Sequence, residues 1–244
     1  SCYLHSSRSR LSMDVLVPLL GDLVKDYREI YDAIDHLGEL TVDVGRGGQD
    51  EFVTRSLLVS EQVMLKIRSS VLREFLEAFH LNVSPLRVFR YDSFRRKGFS
   101  WRLFARAFHS AIQGAQLYDS IMLHDDSPQI RQQKALFLAE KRDYSSAFSE
   151  LDVARSARRR VDWSIENSYY NVLFKANLGR SNFDPEAHRQ CVNSLDGLIR
   201  CFDSDRRKGM HALVFADCAK AFAVEAGEPE LSTDYLRTAQ RMLE

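Results

Sequence analysis

Five side chains in the second half of the sequence are of the types that bind zinc: His188, Cys191, Cys201, His211 and Cys218. His188 and Cys191 are three residues apart, which places them on one face of a helix. A zinc site usually combines two closely spaced pairs of ligands, and the other three residues form no such pair. Cys191 and Cys218 also fit the apolar stripes of their own helices. The sequence therefore favours buried structural cysteines and predicts no metal site.

Three arginines precede a histidine at the spacing used by HEPN-like ribonucleases, an all-helical family: Arg73 with His80, Arg102 with His109, and Arg206 with His211. Chance alone predicts nearly as many such pairs in a chain so rich in arginine. The best candidate is Arg102 with His109, because a helix is expected there. The simpler interpretation is a solvated helix face beside Trp101. RNA cleavage by Arg102 and His109 is kept as the enzymatic alternative.

A run of arginines follows one of the predicted helices. Arg158, Arg159 and Arg160 come directly after it, and Arg155 lies one turn earlier. Cations at a helix C-terminus complement its dipole, and this structural role is the favoured interpretation. A guanidinium also forms bidentate contacts with carboxylate or phosphate. These four arginines are therefore the candidate residues for binding an acidic partner or phosphate.

The usual catalytic and nucleotide-binding strings are missing from the sequence. No G-x-x-x-x-G-K-S/T, G-x-S-x-G or H-E-x-x-H string occurs. The glycine-rich residues 45–48 lack the lysine that would contact phosphates. We therefore expect no cofactor and no catalytic residue in this chain.

Charge and composition limit the classes of partner. Lys+Arg and Asp+Glu both number 34, which gives no net attraction to nucleic acid or anionic lipid. The four cysteines form no C-x-x-C pair, as is typical of a reducing, cytoplasmic compartment. No apolar run approaches the ~20 residues of a membrane span. The chain begins Ser1-Cys2-Tyr3 rather than with Met, so we expect a piece of a longer protein.

The first hundred residues predict a small domain with one β-hairpin. Residues 1–10 are polar and predict a linker or cut end, and the apolar spacing over 20–34 predicts an amphipathic helix. The alternating segment 40–44, the glycines at 45–48 and the β-prone residues 52–54 are typical of a hairpin. One long helix is expected next, with an apolar residue at every fourth position: Val59, Val63, Ile67, Val71, Phe75 and Phe79. We predict a winged-helix-like domain over 11–85 and a connector over 86–100.

Beyond residue 100 the pattern is helical throughout. Trp101, Phe104, Ala105, Phe108, Ile112 and Ala115 predict one apolar helix face. Further helices are predicted at about 129–141, 144–157, 164–177, 185–202, 209–225 and 233–243. Their short connections favour antiparallel neighbours, hence stacked helical hairpins.

One segment, residues 128–161, has the pattern of a tetratricopeptide repeat (TPR). Its small and large residues fall where two antiparallel helices interlock: Ala135, Leu138, Tyr144, Ala147, Leu151 and Ala154. Arg131 and Lys134 stand where such repeats usually have large apolar residues. An irregular helical bundle is the plain alternative. We predict a mainly α fold, with the winged-helix-like unit followed by TPR-like stacked helical hairpins over 101–244.

The layout resembles the C-terminal part of the STAND-type signal-transduction NTPases, particularly prokaryotic ones linked to anti-phage defence. The predicted hairpin followed by Thr54-Arg55-Ser56 resembles the wing and next helix of that family, although the family has His where this chain has Ser56. Residues 142–154 and the start of the 164–177 helix resemble its repeat region. The resemblance implies a non-enzymatic sensor that binds a protein or peptide trigger in the repeat groove. The sensor would relay binding to other domains of the parent chain, including an NTPase core. A helical-repeat scaffold protein is the remaining alternative.

Overall fold

The computed structural model describes residues 1–7, 9–20, 27–37, 40–44, 50–54, 56–84, 87–88, 90–157, 159–182, 184–225 and 229–244. Within these residues the fold is mainly α with one β-hairpin, which confirms the predicted fold class. The chain divides into two compact units, Ser1–Gln133 and Lys134–Glu244, called here the N-terminal and C-terminal units.

The N-terminal unit contains all the strands among the described residues. Its elements are α1 (Cys2–Ser6), β1 (Leu11–Ser12), α2 (Met13–Leu20), α3 (Tyr27–Leu37), β2 (Leu40–Val44), β3 (Asp50–Thr54), α4 (Leu57–Lys66), α5 (Ser69–Asn82), α6 (Tyr91–Gly98), α7 (Trp101–Ala107) and α8 (Ala111–Met122).

The first six elements include the three strands of one sheet. Helix α1 precedes the first strand, and helices α2 and α3 lie between the first and second strands in the chain. β2 and β3 pair antiparallel as predicted, with Val42 opposite Phe52. The short β1 adds to the other edge of β3, so the strand order is β1-β3-β2. The chain order α1-β1-α2-α3-β2-β3 combined with this strand order is that of a winged helix. A strand of two residues following a polar segment has no periodicity that sequence reasoning could detect.

The first residues are packed against the N-terminal unit and do not form the polar linker that was predicted. Tyr3 and Leu4 of α1 are buried, and the Tyr3 ring packs edge-on against Phe75, Phe79 and Phe94. The Tyr3 hydroxyl donates to the Gly98 carbonyl at 2.7 Å. One aromatic residue in a polar segment therefore anchors the chain start, because burying a large ring against other rings outweighs the local polarity.

The single long helix predicted over 59–79 is wrong, since two helices meet there. α4 ends at Lys66 and α5 begins at Ser69, with Ile67 at ψ 138°. The Arg106 guanidinium donates to the carbonyls of Met64 and Leu65, and so replaces the helical bonds that α4 loses at its end. The break turns half of the predicted apolar stripe outward: Val59, Val63 and Val71 are exposed.

The apolar face predicted from Trp101 to Ala115 is also divided between two helices. α7 ends at Ala107, and the Ser110 hydroxyl caps α8 by accepting from the Gln113 amide at 3.5 Å. Ile112 is consequently exposed rather than part of a buried face. A serine N-cap in the middle of an apolar pattern was the signal for this break.

The regular secondary structure of the C-terminal unit is entirely helical in its described residues. The elements are α9 (Pro128–Glu140, which begins in the N-terminal unit), α10 (Tyr144–Ser156), α11 (Trp163–Leu178), α12 (Pro185–Ser204), α13 (Lys208–Glu225) and α14 (Pro229–Leu243). The predicted helices agree within two residues, except that α14 begins four residues before the predicted start. Pro229 opens it, because proline lacks only a first-turn N–H that has no helical partner.

The compact units divide within α9, at a different place from the predicted connector 86–100. Helices α7 and α8 pack on α5, the Phe104 and Tyr118 rings stack at 4.2 Å, and the Tyr118 hydroxyl donates to the Phe99 carbonyl at 2.9 Å. These aromatic contacts hold residues 101–122 in the N-terminal unit.

The turn between α9 and α10 reverses the chain within three residues. Arg142 is left-handed at φ 64°, and the Arg142 and Asp143 amides donate to the carbonyls of Ala139 and Leu138. This is the hydrogen-bond pattern of a Schellman C-cap, with arginine in place of the usual glycine. Asp143 then caps α10 by accepting from the Ser146 amide at 3.2 Å.

Five of the six predicted repeat residues are buried, and Tyr144 at the turn is half-buried. The buried ones are Ala135, Leu138, Ala147, Leu151 and Ala154. Lys134, which departs from the apolar pattern, is only 8% exposed, and its ammonium lies 2.5 Å from the Glu150 carboxylate. An ion pair between α9 and α10 therefore occupies a position where large apolar packing was expected.

Each helix from α10 to α14 packs on the next one along the chain, and α11 also packs on α13. This is the contact pattern of a stacked helical array. The shared core consists of Phe174, Cys191, Leu195, Leu198, Phe215, Cys218, Ala219, Phe222, Tyr235 and Ala239.

We predict that Gly197→Ala destabilises the C-terminal unit. A Cβ at Gly197 would overlap the Tyr170 ring, whose hydroxyl accepts from Arg200 at 3.2 Å. Overpacking costs about 1–3 kcal/mol, which exceeds the roughly 1 kcal/mol gained in helix propensity. Urea unfolding followed by circular dichroism should show a net loss of about 1 kcal/mol. The control Gly209→Ala has open space around the added carbon and should lose nothing; equal behaviour of the two variants would contradict the close α11–α12 contact.

Candidate functional site

The Arg102 and His109 pair does not lie on one helix. Arg102 is on α7, with its guanidinium carbon 4.9 Å from the centre of the Trp101 ring, whereas His109 is exposed in the bend after that helix. The expectation of a shared helix was wrong because α7 ends at Ala107. The preference for this pair as the ribonuclease candidate therefore loses its structural basis.

The histidines of the other two Arg–His pairs are inside the protein. His80 is 2% exposed among Tyr3, Phe79 and Phe99, and its Nε2 lies 3.1 Å from the Tyr3 hydroxyl. Burial lowers the pKa of His80 to about 3. His211 is fully buried and hydrogen-bonded to Asp205. Neither ring can reach an RNA backbone in this structure.

The residues considered for zinc are dispersed. Among the described residues, no three His, Cys, Asp or Glu side chains are arranged to hold a metal ion. Cys191, Cys201 and Cys218 are buried, and burial raises the pKa of their thiols to about 11, 12 and 12. These cysteines pack in the core as thiols at neutral pH and carry no nucleophilic chemistry.

Arg155 is held by its neighbours. Its guanidinium donates to both carboxylate oxygens of Glu166 on α11, at 2.7 and 3.0 Å, and lies 4.2 Å from the centre of the Tyr169 ring. The hydrogen bond to Glu166 raises the pKa of Arg155. Arg155 therefore joins α10 to α11, and it is not free to bind a partner.

The other arginines of the run line a cleft where two loops of the C-terminal unit meet. Arg158 lies outside the described residues, whereas Arg159 and Arg160 are exposed in the α10–α11 loop. Opposite them lies Arg207 from the α12–α13 loop. The cleft is shallow and largely open to solvent, with a volume of about 450 Å³, and is lined by Ala157, Arg159, Arg160, Val161, Asp162, Trp163 and Arg207. A second cleft of about 150 Å³ adjoins the same loop near Glu166.

Arg207 is positioned by two carboxylates. Its Nε lies 3.0 Å from Asp205, and its Nη2 lies 3.7 Å from Asp162, which caps α11 through the Ser164 amide. Nη1 of Arg207 has no partner within the described residues. One edge of the guanidinium thus fixes its orientation while the other edge can donate to a ligand.

Asp205 connects Arg207 to the buried His211. Its Oδ2 lies 2.9 Å from His211 Nε2, which must carry the proton because a carboxylate only accepts. Burial favours a higher pKa for Asp205, but hydrogen bonds from His211 and Arg207 outweigh it and hold the pKa well below its usual value. Asp205 is therefore ionised at neutral pH, and it holds Arg207 in place at the cleft.

The sequence alone indicates the arginine run on one side of this cleft, but not Arg207 on the other side. The run 158–160 was recognised, but Arg207, Val161 and Trp163 were not connected with it. The charged string 205–208 before α13 was the available signal. Nothing in the sequence indicates that this string lies beside residues almost fifty positions earlier.

The winged-helix part offers a poor surface for nucleic acid in its described residues. By its place in the order of elements, α3 corresponds to the helix that DNA-reading winged helices place in the groove, and it exposes Glu29 and Asp32 together with Arg28. Glu51 of β3 is buried and paired with Arg10 at 2.8 Å. The exposed carboxylates of α3 would repel a phosphate backbone.

No protein-family model, curated protein or solved structure matches this chain. In the described part of the chain, no helix combines the length and apolar character needed to cross a membrane.

Proposed function

We propose that this chain is the sensor and relay region of a STAND-type switch protein, without catalytic activity of its own. In this proposal the C-terminal unit binds a trigger protein, and the winged helix transmits that event to an NTPase core elsewhere in the parent protein. The observation that carries it is the succession of a winged-helix order of elements and an array of packed helices in one chain.

The mechanism is a shift between two conformations of the parent protein. A trigger that binds one conformation more tightly raises its population in proportion to the difference in affinity. Helical arrays suit this role because neighbouring hairpins present an extended surface built from several elements.

The test uses the full chain as bait in cells that naturally express it. Proteins that it retains are then purified and titrated against the purified chain by calorimetry. We expect one defined protein to bind in a saturable, stoichiometric way. On binding, amide hydrogen exchange should also change in α4 and α5 of the winged-helix side. Binding without any such change would favour the scaffold alternative, and finding no saturable protein partner would contradict the proposal.

The ribonuclease alternative makes the opposite prediction. We expect the purified chain to leave a labelled single-stranded RNA intact, because Arg102 stacks on Trp101 and His109 lies beyond the end of α7. RNA cleavage that disappears in both Arg102→Ala and His109→Ala, and persists in the control Arg73→Ala, would replace the sensor proposal with an enzymatic one.

A further inference from the structure

We propose that the cleft between the α10–α11 and α12–α13 loops binds an acidic peptide segment of a partner protein. The proposal rests on the sensor function proposed above, and it specifies the chemistry that the sensor recognises. The residues that would contact the segment are Arg159, Arg160 and Arg207, with Val161 and Trp163 as the apolar wall.

Arg159 and Arg160 carry uncompensated positive charge. Both are exposed, and neither forms a hydrogen bond or ion pair with any residue that the structure describes. Other exposed arginines of this unit pair with carboxylates: Arg155 with Glu166, Arg189 with Glu186 and Arg237 with Asp234. The guanidinium groups of Arg159 and Arg160 can therefore donate hydrogen bonds to an acceptor on a bound partner.

Arg207 adds a donor of fixed orientation. Because Asp205 and Asp162 hold its Nε and Nη2, its free Nη1 needs little further ordering when a carboxylate binds. Preorganisation of this kind reduces the entropy lost on binding. Asp162 and Asp205 offset part of the local charge, so the site favours one or two carboxylates over a polyanion.

The apolar wall favours a peptide over phosphate or nucleic acid. Val161 is 60% exposed at the cleft, and Trp163 is half-buried beside it. Phosphate makes no favourable contact with an exposed valine. A peptide with an aliphatic side chain between glutamates or aspartates can contact both the apolar wall and the arginines. The equal numbers of acidic and basic residues in the chain provide no general attraction to nucleic acid either.

Fluorescence anisotropy with the full chain tests this proposal. The probe is a labelled ten-residue peptide of alternating glutamate and leucine, and its counterpart has glutamine in place of glutamate. We expect saturable binding of the glutamate peptide only, weakened by added salt because the contacts are ionic. Arg159→Glu and Arg160→Glu should each lower the affinity by about tenfold or more, since a reversed charge repels the carboxylates.

The matched control is Lys220→Glu, which makes the same change in net charge on an exposed position of α13. Lys220 is twelve residues beyond the start of that helix, hence about 18 Å from the α12–α13 loop. It should change the affinity less than twofold. Equal losses in all three variants would indicate general charge attraction and overturn the site.

A labelled ten-nucleotide single-stranded RNA and inorganic phosphate are titrated in parallel. RNA binding that is tighter than peptide binding and lost in Arg159→Glu would overturn the choice of an acidic peptide, as would displacement of the peptide by millimolar phosphate. If the natural partner binds the Arg159→Glu and Arg160→Glu variants as tightly as the unaltered chain, the cleft proposal fails while the sensor function stands. If the chain binds the glutamate peptide specifically but no protein partner is found, the sensor function fails while the cleft proposal stands.

Discussion

Removing the carboxylate of Glu150 is expected to lower the free energy of unfolding of the C-terminal unit by about 3 kcal/mol. The Lys134 ammonium lies 2.5 Å from Glu150, and the two side chains are only 10% and 14% exposed. Glu150→Ala would take a carboxylate away from a buried cation, and a low-dielectric environment makes this costly. Urea unfolding at pH 7 measures the loss.

Two further variants separate the cost of breaking the pair from its net contribution. Replacing both residues, in the double variant Lys134→Met and Glu150→Met, should recover most of the lost stability, since a packed apolar pair avoids desolvating two charges. Glu140→Ala removes one partner of Lys175 from an exposed pair at 3.6 Å, and should cost less than about 1 kcal/mol. If Glu150→Ala is no more harmful than Glu140→Ala, the pair is not buried as described.

Asp205→Ala is expected to cost about 3 kcal/mol at pH 7. The change removes the acceptor for His211 Nε2 inside the protein and the acceptors for the Arg207 backbone and side chain. His211 Nδ1 already has no partner among the described atoms, so the buried ring would lose its last hydrogen bond. Asp203→Ala, two residues earlier and exposed, is the control and should change stability by less than about 0.5 kcal/mol. Similar losses in both variants would mean that Asp205 acts only as a loop residue.

The stability that Asp205 contributes should depend on pH. Because the pKa of Asp205 is lowered in the folded chain, its contribution is complete above the unfolded carboxyl pKa of about 4, and is lost as pH falls further. The difference in unfolding free energy between the unaltered chain and Asp205→Ala should therefore be constant from pH 7 to 5 and shrink by pH 3. The difference in unfolding free energy is measured because His80 affects the unaltered chain and the variant alike. Since burial lowers the pKa of His80 to about 3, both proteins lose stability as the pH falls below about 6.5. A difference that grows on acidification would contradict the lowered pKa.

Local sequence signals were reliable where they concern the ends of helices. Asp184 with Pro185 predicted the start of α12, where the Asp184 carboxylate accepts from the Glu186 and Ala187 amides. The same reasoning predicted five of the six helices from α9 onward and the hairpin of the N-terminal unit. Such signals succeed because caps and turns depend on residues within one turn of each other.

Two of the failures concern residues that act over long distances in the chain. The break between α4 and α5 has no glycine or proline, and its carbonyls are satisfied by Arg106, some forty residues later. Tyr3 anchors a segment whose composition resembles a linker, through contacts with residues more than seventy positions away. Periodicity in a window of the sequence contains no information about such partners.

By itself the sequence determined the mainly α class, the hairpin and the boundaries of the C-terminal helices, because these follow from local propensity and capping. It also determined that an arginine run follows α10. Only the tertiary structure decided what those arginines can do. Folding pairs Arg155 with Glu166, gives Arg159 and Arg160 no ion pair among the described residues, and brings Arg207 to the opposite side of the cleft. The physical reason is that the availability of a charge depends on which opposite charges folding places within a few ångströms of it.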